Sequence, residues 1–418
     1  MKGKQLAVIL ILLAVLGGVA LFLYSRNTSS WSKTATATEG KILTFPLNDV
    51  SHLTIKDSGA ELNLVKKDEV WKVKERFDYP ADFDKVAGLI RKLWELHPAQ
   101  DVKIGPSQLG RLQLTEPAND SNSGTLVDLR ENDQKRLAAL LLGKKHLRES
   151  DQSFAPGGGI PAGRYVMALD GSNRVFLVSE TFDQVQTKSE QWLSREFIKV
   201  DTPKSIAVAG ANPAMNWRLA RETDSGPWKL VDAKRGEELD TTKASSLAAL
   251  LANPTFVDVL DPKTAPTETG FDKRSTTRIE TFDNFIYELR IGKLMGDNYP
   301  VFVTVTAELP KDRAPVKDEK SEDKAMLDQQ FQAKRKELAD KLSKEKKFDN
   351  WPYLIPKTTI EQLLKDRSAL LAEKKTPSPA PPPSAGGAKG ASARTSPGAA
   401  PGKVPPSQSP AGAQPKPK

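Results

Sequence analysis

The feature that most limits what this chain can fold into is an internal repeat, because two copies of one pattern build two copies of one structure. The first copy opens with a short apolar stretch, Val50 to Ile55, then Leu62 and Leu64 in alternation, a charged turn at Lys67-Asp68-Glu69, and Val70-Trp71-Lys72-Val73. Period-two apolarity around a charged turn predicts a hairpin. The second copy opens with Ile206-Ala207-Val208, continues to Trp217 and Leu219, turns at Asp224 to Pro227, and ends on Trp228-Lys229-Leu230-Val231. A helix is predicted after each hairpin. In the first, Asp82 or Asp84 opens it, and Val86, Leu89, Ile90, Leu93, Trp94 and His97 share one face. In the second, Asp240 or Thr241 opens it, with Ala244, Leu247, Ala248 and Leu251 at matching places; Pro98 and Pro254 stop the two helices.

Further matches follow in the same order. Leu109-Gly110 answers Thr269-Gly270, Thr125 to Leu129 answers Thr277 to Phe282, and Leu141-Leu142-Gly143-Lys144 answers Arg290-Ile291-Gly292-Lys293. Arg164 to Leu169 answers Tyr299 to Val303. The series predicts an α+β fold of two tandem repeats, residues 43–200 and 203–357, each a mostly antiparallel sheet with one packed helix.

The second repeat carries an insertion, residues 308–348, about half charged. Within it Leu327, Phe331, Leu338 and Leu342 form a narrow apolar stripe on a predicted helix about 36 Å long. Such a helix either folds back on its own domain or docks on a partner, and these four residues are the candidate partner contacts. Trp351 to Pro356 returns to strand, and Ile360, Leu363, Leu364 and Leu371 predict a last helix over 358–375. From residue 376 to 418 the chain is Pro, Ala, Gly and Ser with scattered basic residues, which predicts a disordered tail.

At the other end, Leu6 to Tyr24 is an unbroken apolar run between Lys2 and Lys4 on one side and Ser25-Arg26 on the other. Its length suits a hydrocarbon core of roughly 30 Å, so residues 6–24 are expected to be a single transmembrane anchor. Bulky Leu21-Phe22-Leu23-Tyr24 and the distance to Ala35-Thr36-Ala37 argue for an uncleaved signal-anchor. The charge bias places residues 1–5 in the cytoplasm and exports the rest of the chain. Residues 25–42, rich in Ser and Thr, read as a stalk.

The chain has no cysteine, which excludes disulfides, thiolate metal sites and thiol catalysis. Its net charge of +9 owes much to Lys2, Lys4 and the tail residues Lys389, Arg394, Lys403, Lys416 and Lys418. Basic flanks on a balanced body suit a membrane or an anionic cell-wall polymer better than nucleic acid.

No reactive constellation stands out. His52, His97 and His146 are not at metal-binding spacing, and no HExxH or Gly-x-Ser-x-Gly occurs. Ser321-Glu322-Asp323-Lys324 and Ser343-Lys344-Glu345-Lys346 fit Ser-x-x-Lys without its companion motifs, and Gly157-Gly158-Gly159, Gly143-Lys144 and Gly292-Lys293 lack the rest of a phosphate loop. Trp71 and Trp228 are either sugar-stacking rings or core anchors, and their equivalent places in the two hairpins favour the core. No catalytic residue, cofactor or metal ligand is expected.

With the apolar anchor, the paired Trp hairpins, Trp71-Lys72-Val73 with Asp82-Phe83-Asp84, the Leu-Gly-Lys fragment and Trp351-Pro352-Tyr353-Leu354-Ile355-Pro356, residues 1–370 resemble the bacterial family catalogued as domain of unknown function 4340. The charged insertion and the tail depart from its pattern. The resemblance implies a single-anchor envelope protein, encoded beside gliding-motility-type ABC transporter components, with no catalytic residues to carry over. The resulting expectation is a non-enzymatic accessory or scaffold protein whose partners are ABC permease or ATPase subunits or another envelope protein. The alternative is a module binding cell-wall or surface polysaccharide; a hydrolase built on a carboxylate pair ranks third.

Overall fold

The computed structural model describes residues 40–118, 122–148, 160–210, 212–314 and 319–373. The expected anchor at 6–24, most of the stalk, Gly157 to Gly159 and the tail at 376–418 lie outside the described residues. Among those described, no helix is long and apolar enough to cross a membrane.

The first sheet contains β1 (His52–Lys56), β2 (Glu61–Lys67), β3 (Val70–Val73), β4 (Tyr79–Pro80) and β5 (Gln100–Val102). To these it adds β6 (Thr125–Arg130), β7 (Arg136–Arg148), β8 (Ile160–Ala168) and β9 (Val175–Val178). The second contains β10 (Pro203–Ala209), β11 (Trp217–Ala220), β12 (Lys229–Leu230) and β13 (Asp258–Val259). It is completed by β14 (Ser275–Thr281), β15 (Phe285–Ile291), β16 (Asn298–Ala307) and β17 (Pro352–Pro356). The spatial orders are β4-β3-β2-β1-β6-β7-β8-β9-β5 and β12-β11-β10-β14-β15-β16-β17-β13. Without β4 the two orders are the same, position for position, so the ordered sequence matches do reflect two copies of one antiparallel topology.

The period-two pattern does what it predicts. Along β15 the residues Phe285, Tyr287, Leu289 and Ile291 are buried and those between them are not. One helix packs in each repeat, over Phe83–Trp94 and Thr241–Ala252. Val86, Leu89, Ile90 and Leu93 are buried in the first, and Ala244, Leu247, Ala248 and Leu251 in the second. Asp82 caps the first by accepting from the Lys85 N–H, and Asp240 caps the second by accepting from those of Thr242 and Lys243. His97 lies beyond the first helix and is exposed. Trp71 and Trp228 are core anchors, 5% and 6% exposed.

Two expectations change. The left-handed residue that ends the turn before each central hairpin is Gln113 (φ 54°) in the first repeat and Gly270 (φ 80°) in the second, so Gln113, not Gly110, is the counterpart of Gly270. The predicted helix over 358–375 is instead a short turn at Lys357–Ile360 and a 3-10 turn at Arg367–Leu370. Its apolar residues are used, with Ile360, Leu363 and Leu370 buried, but the chain must straighten at Leu371 to bridge Leu239. The first repeat has the same device, Leu193 bridging Ala81. Asp82 N–H donates to the Trp192 carbonyl and Lys85 Nζ to that of Gln191; Asp240 N–H donates to Leu370 and Lys243 Nζ to Leu371. Each repeat therefore closes on the start of its own helix, and the second runs to Leu371 instead of ending at 357.

One hydrophobic core spans both sheets. At the junction Tyr79 of β4 meets Phe256, Trp351 and Tyr353, with ring centroids 5.9, 5.0 and 6.1 Å away. Phe197, from the stretch joining the repeats, lies 5.2 Å from Phe256 and 4.5 Å from Tyr353. Beside this cluster Arg76 donates Nε and a terminal nitrogen to the two oxygens of Asp258, at 2.6 and 2.9 Å.

Candidate functional site

The insertion is a large departure from the repeat. Between β8 and β9 the chain makes a short turn; between β16 and β17 it builds a helical arm, Ser321–Glu345. At 1.5 Å per residue its 25 residues span about 37 Å. Glu322 and Asp323 occupy the first turn, where the helix dipole favours negative charge. Arg313 fixes the approach to the arm by pairing with both oxygens of Glu319, at 2.6 and 2.5 Å, and with Asp328 at 2.8 Å.

The four stripe residues separate into two pairs. Leu338 and Leu342, in the half of the helix near Glu345, are partly buried against the main core. Leu327 and Phe331, in the distal half, are also partly buried but are not among the residues packed against that core. Met326 beside them is 53% exposed. Half of the stripe thus packs on the main core, and half does not.

The base of the arm is held by two residues that the sequence reading did not single out. Lys341 Nζ donates to the Lys199 carbonyl at 2.8 Å and to the Asp201 carboxylate at 2.7 Å, and lies 5.0 Å from the Phe285 ring centroid. Glu345, its side chain 7% exposed, accepts from the Tyr287 hydroxyl at 2.7 Å and from the Lys199 N–H at 3.1 Å. Burial pushes the Glu345 carboxyl above its ordinary range despite these donors. Burial and the adjoining Glu345 push the Tyr287 hydroxyl up as well. Asp201 goes the other way: burial works against its ionisation, but the Lys341 hydrogen bond, with the charges of Lys341 and Lys199, leaves it below the usual carboxylate range. In sequence Lys341 and Glu345 look like an ordinary surface pair four residues apart, and no local signal marks them as a clamp.

That clamp grips the segment joining the repeats. Thr202, which follows it, has a φ of 45°, a left-handed conformation uncommon for a β-branched residue. A cleft of about 500 Å³ runs beside the arm base, lined by Glu196, Phe197, Glu337, Lys344 and Phe348 among others. Its acids and bases alternate, and no nucleophile is set against a base there.

Elsewhere, the buried carboxylate of Asp128 is bracketed by Arg130 and Arg136, each 2.8 Å away. His52 lies between Gln134 and Asn63, and His146 is edge-on to Tyr165. Among the described residues no group of three or more His, Cys, Asp or Glu could hold a metal ion.

Residues 71–274 match the family model described as Domain of unknown function (DUF4340). Over that stretch the family resemblance holds. The DUF4340 match begins at Trp71 in β3 and ends at Arg274, one residue before β14, so the arm lies wholly outside it. No curated protein and no solved structure matches the chain.

Proposed function

We propose that this protein is a non-enzymatic accessory or scaffold of the bacterial envelope, anchored in the inner membrane by residues 6–24, with its body in the periplasm. In this reading the distal half of the arm docks on a subunit of an ABC-type transporter. The observation that carries the proposal is the split of the arm. A helix whose base is clamped by Glu345 and Lys341 holds Met326, Leu327 and Phe331 away from its own core, where apolar surface is stabilised by covering it. Placement of the arm outside the DUF4340 match suits a device that selects a partner. The family resemblance supplies the transporter as the candidate. A polysaccharide-binding reading draws less support, because Trp71 and Trp228 are buried and not free to stack on sugar.

The test is affinity recovery of the full-length chain from its native membranes in mild detergent, followed by mass spectrometry. Near-stoichiometric permease or ATPase subunits are expected. The pair Leu327→Asn and Phe331→Asn should lower their recovery at least about tenfold while the melting curve moves little, since neither side chain packs on the main core. A partnerless protein, or recovery indifferent to the two substitutions, would overturn the reading.

A further inference from the structure

The equivalent strands β7 and β15 differ in a way that the duplication makes easy to read. A helical turn crosses close to a glycine in each repeat, Gly143 within β7 and Gly292 just after β15. β15 stops at Ile291, whereas β7 continues to Arg148 and stays paired with β8 through Lys145↔Arg164, His146↔Gly163 and Leu147↔Pro161. This extension forms one wall of a cleft of about 580 Å³; the turn at Pro106–Leu112 and the end of β5 form the other. The volume lies in the range that holds small organic ligands.

Arg111, Lys144 and Lys145 line the cleft together with the His146 ring, and neither Asp nor Glu is among its lining residues. Lys145 is paired with Asp183. Arg111 and Lys144 have no ion-pair partner among the described residues. The remaining wall is largely apolar, including Ile104, Leu112, Leu147, which is 46% exposed, and Tyr165. In the second repeat the same position is narrower. Lys293, the counterpart of Lys144, donates to the Thr267 carbonyl at 3.3 Å, and the smaller cleft there, about 290 Å³, contains Asp272 beside Lys273. The second cleft carries a carboxylate at Asp272, whereas the first presents Arg111 and Lys144 with no carboxylate in its lining, above an apolar wall.

We propose that the cleft under the β7 extension binds an anionic amphiphile, a lipid phosphate whose oxygens meet Arg111 and Lys144 and whose hydrocarbon lies on Ile104, Leu112, Leu147 and Tyr165. Guanidinium and ammonium groups both suit phosphate, the former through a two-pronged hydrogen bond. A bare anion would leave the apolar wall in water, and a neutral lipid would leave both cations unmatched. An acidic glycan would set hydroxyl groups against Ile104 and Leu112, which offer no hydrogen bond.

The experiment is calorimetric titration of the full-length chain, held in phosphatidylcholine nanodiscs, with dihexanoyl phosphatidate. Dihexanoyl phosphatidylcholine and inorganic phosphate serve as comparison ligands. Saturable binding of the phosphatidate is expected, at least about tenfold tighter than either comparison ligand. Arg111→Ala and Lys144→Ala should each weaken it about tenfold, which is about 1.4 kcal/mol. Leu147→Asn should weaken phosphatidate but not phosphate, and Lys293→Ala should change nothing. Phosphate binding as tightly as phosphatidate would reduce the site to a simple anion site and overturn the proposal. So would equal binding of phosphatidylcholine, equal sensitivity to Lys293→Ala, or no binding at all.

Discussion

At the scale of single residues, the fragment shared by the two repeats has a steric cause. A Cβ on Gly143 would stand 2.3 Å from the Leu112 carbonyl oxygen and 2.7 Å from the Leu114 side chain. A Cβ on Gly292 would stand 2.2 Å from the Thr269 carbonyl oxygen and 2.9 Å from Pro300. Both obstacles include backbone atoms, which cannot swing aside as a side-chain tip can. Gly143→Ala and Gly292→Ala are therefore each expected to cost about 1–3 kcal/mol, the usual range for overpacking. Gly88 is the contrasting case: it sits within the first helix with nothing within 4 Å of its missing Cβ. Gly88→Ala should stabilise by up to about 1 kcal/mol. Urea unfolding of the three variants checks this; equal effects at all three glycines would mean that the repeated Gly-Lys pair has no such steric origin.

At the scale of elements, the arm is tied to the protein by a buried acid, and this makes its attachment depend on pH. Glu345 in the folded chain titrates above its ordinary value of 4.5 because burial penalises its charge. The folded state therefore holds this proton more tightly than the unfolded state. The stabilisation from that tighter binding is complete below about 4.5 and is lost as pH rises from there through the raised folded value. Glu345→Gln stays neutral and lacks this contribution. The melting temperature of wild type minus that of Glu345→Gln should accordingly fall as pH rises through this window. A difference independent of pH, measured by thermal melts from pH 4 upward, would show that Glu345 is not held as the geometry indicates. The repeats, their hairpins and their helices were legible because strand and helix periods are local properties. The division of the arm was not, since Leu327 and Phe331 have the same four-residue spacing as Leu338 and Leu342, and only the position of the core decides which pair it covers. The helix expected over 358–375 misled for a related reason: its leucines have helical spacing, but bridging Leu239 requires an extended Leu371, and the Leu370 carbonyl before it accepts from the Asp240 N–H.

At the scale of the whole molecule, the strand that breaks the match between the two sheets is the one that joins them. β4 has no counterpart in the second sheet, and it carries Tyr79 into the aromatic junction with Phe256, Trp351 and Tyr353. Burial there raises the Tyr79 hydroxyl to about 12, so the ring stays neutral throughout the physiological range. Arg76, just before β4, closes the junction on Asp258 of β13 with two hydrogen bonds between side chains that are each largely buried. Duplication alone would give two domains that unfold separately, each with its own core. A continuous core, a shared aromatic cluster and a linker clamped by the arm instead make unfolding of one repeat expose apolar surface of the other. Differential scanning calorimetry of the full-length chain should therefore show one transition for the paired repeats, with calorimetric and van't Hoff enthalpies in agreement. Arg76→Ala leaves Asp258 largely buried without its partner and should cost about 1–3 kcal/mol. Because the repeats are coupled, that loss should move the whole transition to lower temperature instead of splitting off half of it. Two resolved transitions in the unsubstituted protein would show that the junction is an interface between independent domains, and the arm would then have a joint to move and not a fixed body to project from.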